Sequence, residues 1–120
     1  MFQLEPNESI EQCAARELAE ESGLTAVPAS LKRMGYLVFK MQEAQKILRV
    51  HVFETWSFAG SAADTEEMAP RWFSEADIPY ENMWPDDQHW LPLLLRGQAF
   101  VGRFDYGDED SLLSFDVALQ

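Results

Sequence analysis

The sequence predicts a single α+β domain. Three observations carry that expectation: a capped helical segment over residues 9–22, two β-rich runs after it, and a second helical segment leading into a C-terminal hairpin.

Ser9 and Gln12 have the spacing of a capping box, Pro6-Asn7 supply the turn before it, and Gly23 is the expected stop. Met34–Met41 and Ile47–Phe58 read as strands of a hairpin joined by the polar segment Gln42–Lys46, with Val50, Val52 and Thr55 favouring extended backbone in the second. A small acidic loop, Ala59–Ala69, precedes a short strand expected around Arg71–Ser74. Pro85–Arg96 reads as the second helix, with Pro85 in its first turn, Pro92 a kink and Gly97 its end. The tail predicts strands at Ala99–Tyr106 and Ser111–Leu119, where the alternation of Leu113, Phe115, Val117 and Leu119 predicts one buried face.

Composition narrows the function. The chain has 120 residues, 47% hydrophobic, and a net charge of −12 from 9 Lys+Arg against 21 Asp+Glu. That is enough apolar material for one modest core. A chain this acidic offers no basic stripe to polymeric nucleic acid. It can still take a small phosphorylated ligand if divalent cations bridge the two negative partners. Cys13 is the only cysteine, so an intrachain disulfide is excluded and a reducing, cytoplasmic setting is expected, with mitochondrial or nuclear pools left open. No apolar run is long enough to span a bilayer, and a monomer without a membrane or nucleic-acid partner is the expectation.

The first helix carries the chemical signal. At about 100° per residue, Ile10, Cys13, Ala14 and Leu18 share one side, Glu17 and Glu21 fall within roughly 20° of Ile10, and Glu20 about 80° away. A stripe that begins as core therefore ends in carboxylates. Buried carboxylates are costly unless compensated, and hard divalent cations such as Mg²⁺ take carboxylate oxygens together with substrate phosphates. The alternative is a solvated acidic helix end. Against it stand the alignment with the apolar stripe and the unfavourable placement of negative charge at a helix C-terminus.

Glu8, seven residues, then Arg16-Glu17-Leu18-Ala19-Glu20-Glu21-Ser22-Gly23-Leu24 resembles the box of the Nudix hydrolase family, Gly-x5-Glu-x7-Arg-Glu-U-x-Glu-Glu-x-Gly-U. Every defining position matches except the first, where Phe2 stands in place of glycine. The resemblance implies a mixed sheet packed between helices, Mg²⁺ as cofactor, and hydrolysis of a nucleoside diphosphate linkage. It implies Glu17, Glu20, Glu21 and Arg16 as the catalytic group, Glu17, Glu20, Glu21 and Glu67 as metal ligands, and Glu8 and Gly23 as structural support. Which glutamate takes the proton stays open.

The similarity extends to Val50-His51-Val52-Phe53, Glu66-Glu67-Met68, Pro70-Arg71-Trp72-Phe73 and Asn82-Met83-Trp84-Pro85-Asp86-Asp87. These segments resemble the family's members that act on oxidised purine nucleoside triphosphates, 8-oxo-dGTP and 2-hydroxy-dATP, releasing monophosphate and diphosphate. By that resemblance Trp84 packs on the purine and Asp86 and Asp87 bind its edge, with Phe39, Met41, Leu48, Met68, Trp90 and Tyr106 lining the pocket. Two neighbouring carboxyls facing one ligand do not both ionise easily, so one is expected to keep its proton and donate. The simpler alternative is that Asp86 and Asp87 only complement a helix N-terminus. His51 and His89 have no partner at ligand spacing and are not read as catalytic.

Against family members the chain begins after the first strands, with Met1-Phe2 where a Gly-Gly would stand. The domain is thus read as residues 1–120, incomplete at its N-terminus, and the polypeptide alone is expected to be poorly stable and weakly active. The competing expectation is a non-catalytic Nudix-like nucleotide-binding or regulatory module.

Overall fold

In the computed structural model, which describes residues 4–66, 68–108 and 110–120, Ser9 opens the first helix. Its Oγ accepts from Gln12 N–H at 3.0 Å while Gln12 Oε1 accepts from Ser9 N–H at 2.8 Å. Two of the donors that a helix start leaves unsatisfied are thereby paired. Helix α1 runs Ile10–Ser22 and stops at Gly23, whose φ of +79° is the left-handed conformation that glycine adopts without strain. The expected cap and stop are both present.

By contacts the chain divides into two units, Met1–Lys32 with Phe53–Trp72 and Arg33–Val52 with Phe73–Gln120. In the first unit the acidic loop is pinned to the end of α1. Ala63 N–H donates to Ser22 O at 3.0 Å, Thr65 Oγ1 to Glu21 O at 3.4 Å, and Thr25 pairs with Ala59. A 3₁₀ turn, Pro28–Ser30, follows α1, and Ser30 Oγ meets Thr55 Oγ1 at 3.2 Å.

The second unit is built on a sheet of order β2-β1-β3-β4, with β1 at Lys32–Met41, β2 at Lys46–Glu54, β3 at Phe100–Tyr106 and β4 at Leu112–Leu119. β1 and β3 are parallel, from Gly35↔Phe100 to Met41↔Tyr106, whereas β3 and β4 are antiparallel, so the sheet is mixed. Residues Met34, Leu37, Phe100, Phe104 and Tyr106 form its buried core. Helix α2, Asp87–Leu95, covers part of one face, its Trp90 ring stacked on Phe100 with centroids 5.6 Å apart. It ends in a double cap, Gly97 N–H to Leu94 O at 2.9 Å and Gln98 N–H to Leu93 O at 3.0 Å, with Gly97 left-handed at φ +74°.

Four sequence expectations are corrected. Arg71–Ser74 forms no strand; Arg71 instead ties locally to Asp64 and Pro70 O. The second strand ends at Glu54 rather than Phe58, because Thr55 Oγ1 accepts from Ser57 N–H and turns the chain. The second helix begins at Asp87, with Pro85 in the turn closed by Asp87 N–H to Trp84 O. Finally, Leu113, Phe115 and Leu119 are 57%, 48% and 60% exposed, so the alternating face of β4 is not buried. Of that face Val117 is partly buried on the core, beside the space left by Gly102, and Phe115 stacks on Phe104 with its outer side open.

Candidate functional site

Two constellations of the expected site residues are formed, one in each unit. In the first, Arg16 is the hub. Its guanidinium forks onto Glu8, Nε to Oε2 at 2.9 Å and Nη2 to Oε1 at 3.2 Å. Bidentate geometry of this kind fixes a side chain as well as pairing its charge. The Glu8 carboxylate also accepts Glu5 N–H at 3.0 Å, made possible by the turn at Asn7 with φ +64°. The hydrogen bond from Arg16, and then that from Glu5 N–H, hold the Glu8 carboxyl below the usual carboxylate range.

The remaining nitrogen of Arg16 faces the acidic end of α1. Nη1 donates to Glu17 Oε1 at 3.0 Å and to Glu20 Oε1 at 3.1 Å. Glu17 is the more enclosed, with its side chain 14% exposed against 40% for Glu20. Two carboxylates on successive turns thus already converge on one positive group. Glu21 is half-buried one residue further along. Their oxygens are the hard donors that a divalent cation prefers, so the donor chemistry fits Mg²⁺. As placed, however, no three His, Cys, Asp or Glu side chains among the described residues are gathered closely enough to hold an ion, because Arg16 takes Glu17 and Glu20. Glu67 lies outside the described residues. Cys13, beneath Arg16, is fully buried, and burial pushes its thiol pKa up.

The second constellation is a cavity of about 290 Å³ in the sheet unit. Phe39, Met41 and Leu48 line it from β1 and β2, and Trp84, Asp86, Asp87, Trp90 and Tyr106 close its other side. Leu37, Val50 and Val52 also contribute, which the sequence reading did not single out. Their alternation in register with Phe39, Met41 and Leu48 was the available signal. Met68, expected at this pocket, belongs to the other unit and is 55% exposed.

Nearly all the cavity wall is apolar; its polar part is the aspartate pair. Asp86 stands at the helix N-cap yet makes no capping bond with its side chain. Instead Oδ1 accepts from Tyr106 O–H at 2.5 Å and Oδ2 from Trp90 Nε1–H at 2.8 Å, while Asp86 N–H donates to the Tyr106 oxygen at 2.9 Å. At 4% exposure Asp86 is one of only two buried polar side chains among the described residues, and both its oxygens are satisfied. Asp86 and Asp87 thus stand at the start of α2, as the helix-end alternative has it, but the Asp86 side chain is bonded to Tyr106 and Trp90 rather than to the helix backbone. Burial, and then the neighbouring Asp86 charge, push the Asp87 carboxyl up to about 7. Burial and the bond to Asp86 also raise the Tyr106 hydroxyl pKa.

Trp84 is 49% exposed and meets Tyr106 edge-on, with ring centroids 5.9 Å apart. Flat aromatic surface beside a donor–acceptor carboxyl pair suits a planar heterocycle with a polar edge. His89 stacks on Phe115 at 3.9 Å and His51 lies 4.9 Å from the Tyr36 ring.

Comparison with known proteins adds the following. A family model described as the NUDIX domain matches residues 3–94. The chain is 38% identical over 114 residues to the oxidized purine nucleoside triphosphate hydrolase of Mus musculus, covering 95% of this chain and 72% of that protein. It is 37% identical over 110 residues to the protein of the same name from Danio rerio, covering 92% and 69%. A crystal structure of the mutator MutT protein from Bacillus halodurans superposes with a TM-score of 0.81 at 22% identity, over 95% of this chain and 76% of the other, which speaks to the fold. No helix among the described residues is long and apolar enough to cross a membrane.

Proposed function

The chain belongs to the Nudix hydrolase family, and from that premise we propose that it hydrolyses oxidised purine nucleoside triphosphates, 8-oxo-dGTP and 2-hydroxy-dATP, to the monophosphate and diphosphate. The observation that carries the reading is the carboxyl pair in the apolar cavity. Asp86 accepts from Tyr106 and Trp90, and burial, then the Asp86 charge, push the Asp87 carboxyl beside it up to about 7. A purine edge with both donors and acceptors is matched by such a pair, and Trp84 supplies a face on which the ring stacks. The names of the mouse and zebrafish relatives support the same substrate class.

Glu17, Glu20 and Glu21 are proposed to hold Mg²⁺, whose net effect is to neutralise phosphate charge and acidify water for in-line attack. Arg16 would keep Glu8 when Glu17 and Glu20 turn to a cation, and so would hold the helix in place. The net charge of −12 favours this division of labour, since a triphosphate is repelled unless cations intervene. Gly23 would let the chain leave α1 sharply behind the carboxylates. We place the activity in a monomer of the cytoplasmic nucleotide pool, in keeping with a lone cysteine.

The test is diphosphate release from 8-oxo-dGTP, 2-hydroxy-dATP and unmodified dGTP, with and without Mg²⁺, beside E21Q. Turnover of the oxidised nucleotides that needs Mg²⁺ and is lost in E21Q is expected. Tight nucleotide binding without release from either protein would identify a non-catalytic binding module instead.

A further inference from the structure

Tyr106 stands where the two walls of the cavity meet. It is the last residue of β3, paired with Met41 of β1, and it is fully buried. Its ring lies 6.3 Å from Phe39 on the sheet side and 5.9 Å, edge-on, from Trp84 before α2. Its hydroxyl donates to Asp86 Oδ1 at 2.5 Å and accepts from Asp86 N–H at 2.9 Å. One hydroxyl therefore closes on both the backbone and the side chain of the same residue. Trp90 Nε1–H donates to the other carboxyl oxygen at 2.8 Å.

The other bonds of this segment are local. Asp87 N–H donates to Trp84 O at 3.1 Å, and His89 N–H to Asp86 O at 2.9 Å. These shape the turn and start the helix, but they tie the segment only to itself and to α2. The pair of bonds through the Tyr106 hydroxyl ties it to the sheet. Trp84, Asp86 and Asp87 all lie in that segment and all line the cavity. Groups held in their binding positions beforehand lose less freedom when a ligand arrives.

We infer that Tyr106 is a positioning residue for base recognition: its hydroxyl clamps Asp86 to the end of β3 and so holds Trp84, Asp86 and Asp87 as one preformed wall. The inference rests on the purine reading above and adds to it a residue that acts through Asp86. Burial, and then the bond to Asp86, raise the Tyr106 pKa, so the hydroxyl keeps its proton to donate.

The ring and the hydroxyl can be separated. Y106F keeps the ring beside Phe39 and Trp84 and removes the clamp alone. Asp86 N–H then loses its acceptor and Oδ1 its donor, in a site where Asp86 is buried. The segment shifts to satisfy them, and the loss falls on holding the base. Cleavage at the phosphates, proposed for the glutamates of α1, is spared.

Two measurements decide it. In the first, kcat and KM for 8-oxo-dGTP, and the dissociation constant of 8-oxo-dGMP, are compared in the native chain and Y106F well below both melting temperatures. KM and the dissociation constant should each rise by about tenfold, with kcat within about twofold of native. A purely structural tyrosine would lower the melting temperature and leave KM alone. That result, or a loss carried by kcat instead, overturns the inference. In the second, hydrogen exchange is followed by NMR without nucleotide. The Asp86 amide and the Trp90 indole N–H should be protected in the native chain, and Y106F should speed the Asp86 amide by about tenfold or more while the amides of β3 keep their rates. Free exchange of the Asp86 amide in the native chain overturns the inference even where Y106F fails to fold. If no purine nucleotide binds the native chain, the functional reading falls, and the exchange rates show separately whether the clamp stands.

Discussion

Arg16 holds Glu8 with two parallel hydrogen bonds, 2.9 and 3.2 Å, and spends its remaining nitrogen on Glu17 and Glu20. One guanidinium thereby couples the segment before α1 to the carboxylates at the helix's far end. A lysine offers one point charge and cannot reproduce the fork. R16K is therefore expected to lower kcat on 8-oxo-dGTP by roughly 10–100-fold, the usual cost of losing a group that orients ligating side chains. The Mg²⁺ concentration for half-maximal rate should rise with it. An unchanged rate and metal dependence would show that Glu17 and Glu20 need no such guide.

Asp87 makes a pH prediction with a definite sign. Its folded-state value, about 7, lies above the ordinary 3.8. Between those values the folded chain binds a proton that the unfolded chain has released, so stability from this group is full below about 3.8 and falls as pH rises through about 7. D87N removes the dependence. The melting temperature of D87N relative to the native chain should thus climb from pH 4 to pH 8. Turnover that uses Asp87 as a donor should fall above about 7 in the native chain. A Tm difference flat across that range would place the shifted group elsewhere.

The glutamates divide by exposure and register. Glu17 is enclosed, whereas Glu20 is 40% exposed and Glu21 follows it on the wheel. E20Q and E21Q keep the shape but remove the charge that holds a cation. Each is expected to cut the Mg²⁺-dependent rate by at least about 10²-fold, with little change in thermal stability without metal. Rates near native in both variants would remove the acidic end of α1 from the chemistry.

Local signals were legible in the chain because they are set by neighbours in sequence. The capping box at Ser9 and Gln12 and the glycine stops at 23 and 97 each depend on a handful of adjacent residues. What escaped depends on distant partners. Arg71–Ser74 has strand-prone side chains but no ladder partner, so its pattern was not enough. The alternation in β4 was real, yet Leu113 and Phe115 stay about half exposed, since what covers a strand face is set by elements distant in sequence. In the site, Asp86 and Asp87 were visible as a pair. Their asymmetry was not, because it comes from Tyr106, twenty positions away and brought close by the sheet.

Parallel pairing of β1 with β3 sets the last prediction. Gly35 sits opposite Phe100, and a Cβ on Gly35 would lie 2.3 Å from two atoms of that ring. Phe100 is fully buried and stacked on Trp90, so it has nowhere to retreat. G35A should therefore destabilise the fold by about 1–3 kcal/mol or more through overpacking. Gly107 is the control: its added Cβ would make ordinary contact with Leu113 at 3.5 Å, and G107A should stay within about 0.5 kcal/mol. Urea unfolding of the two variants side by side decides the point. Equal midpoints would mean that the ring of Phe100 is not locked above Gly35, and that the core beneath Trp90 is softer than its packing implies.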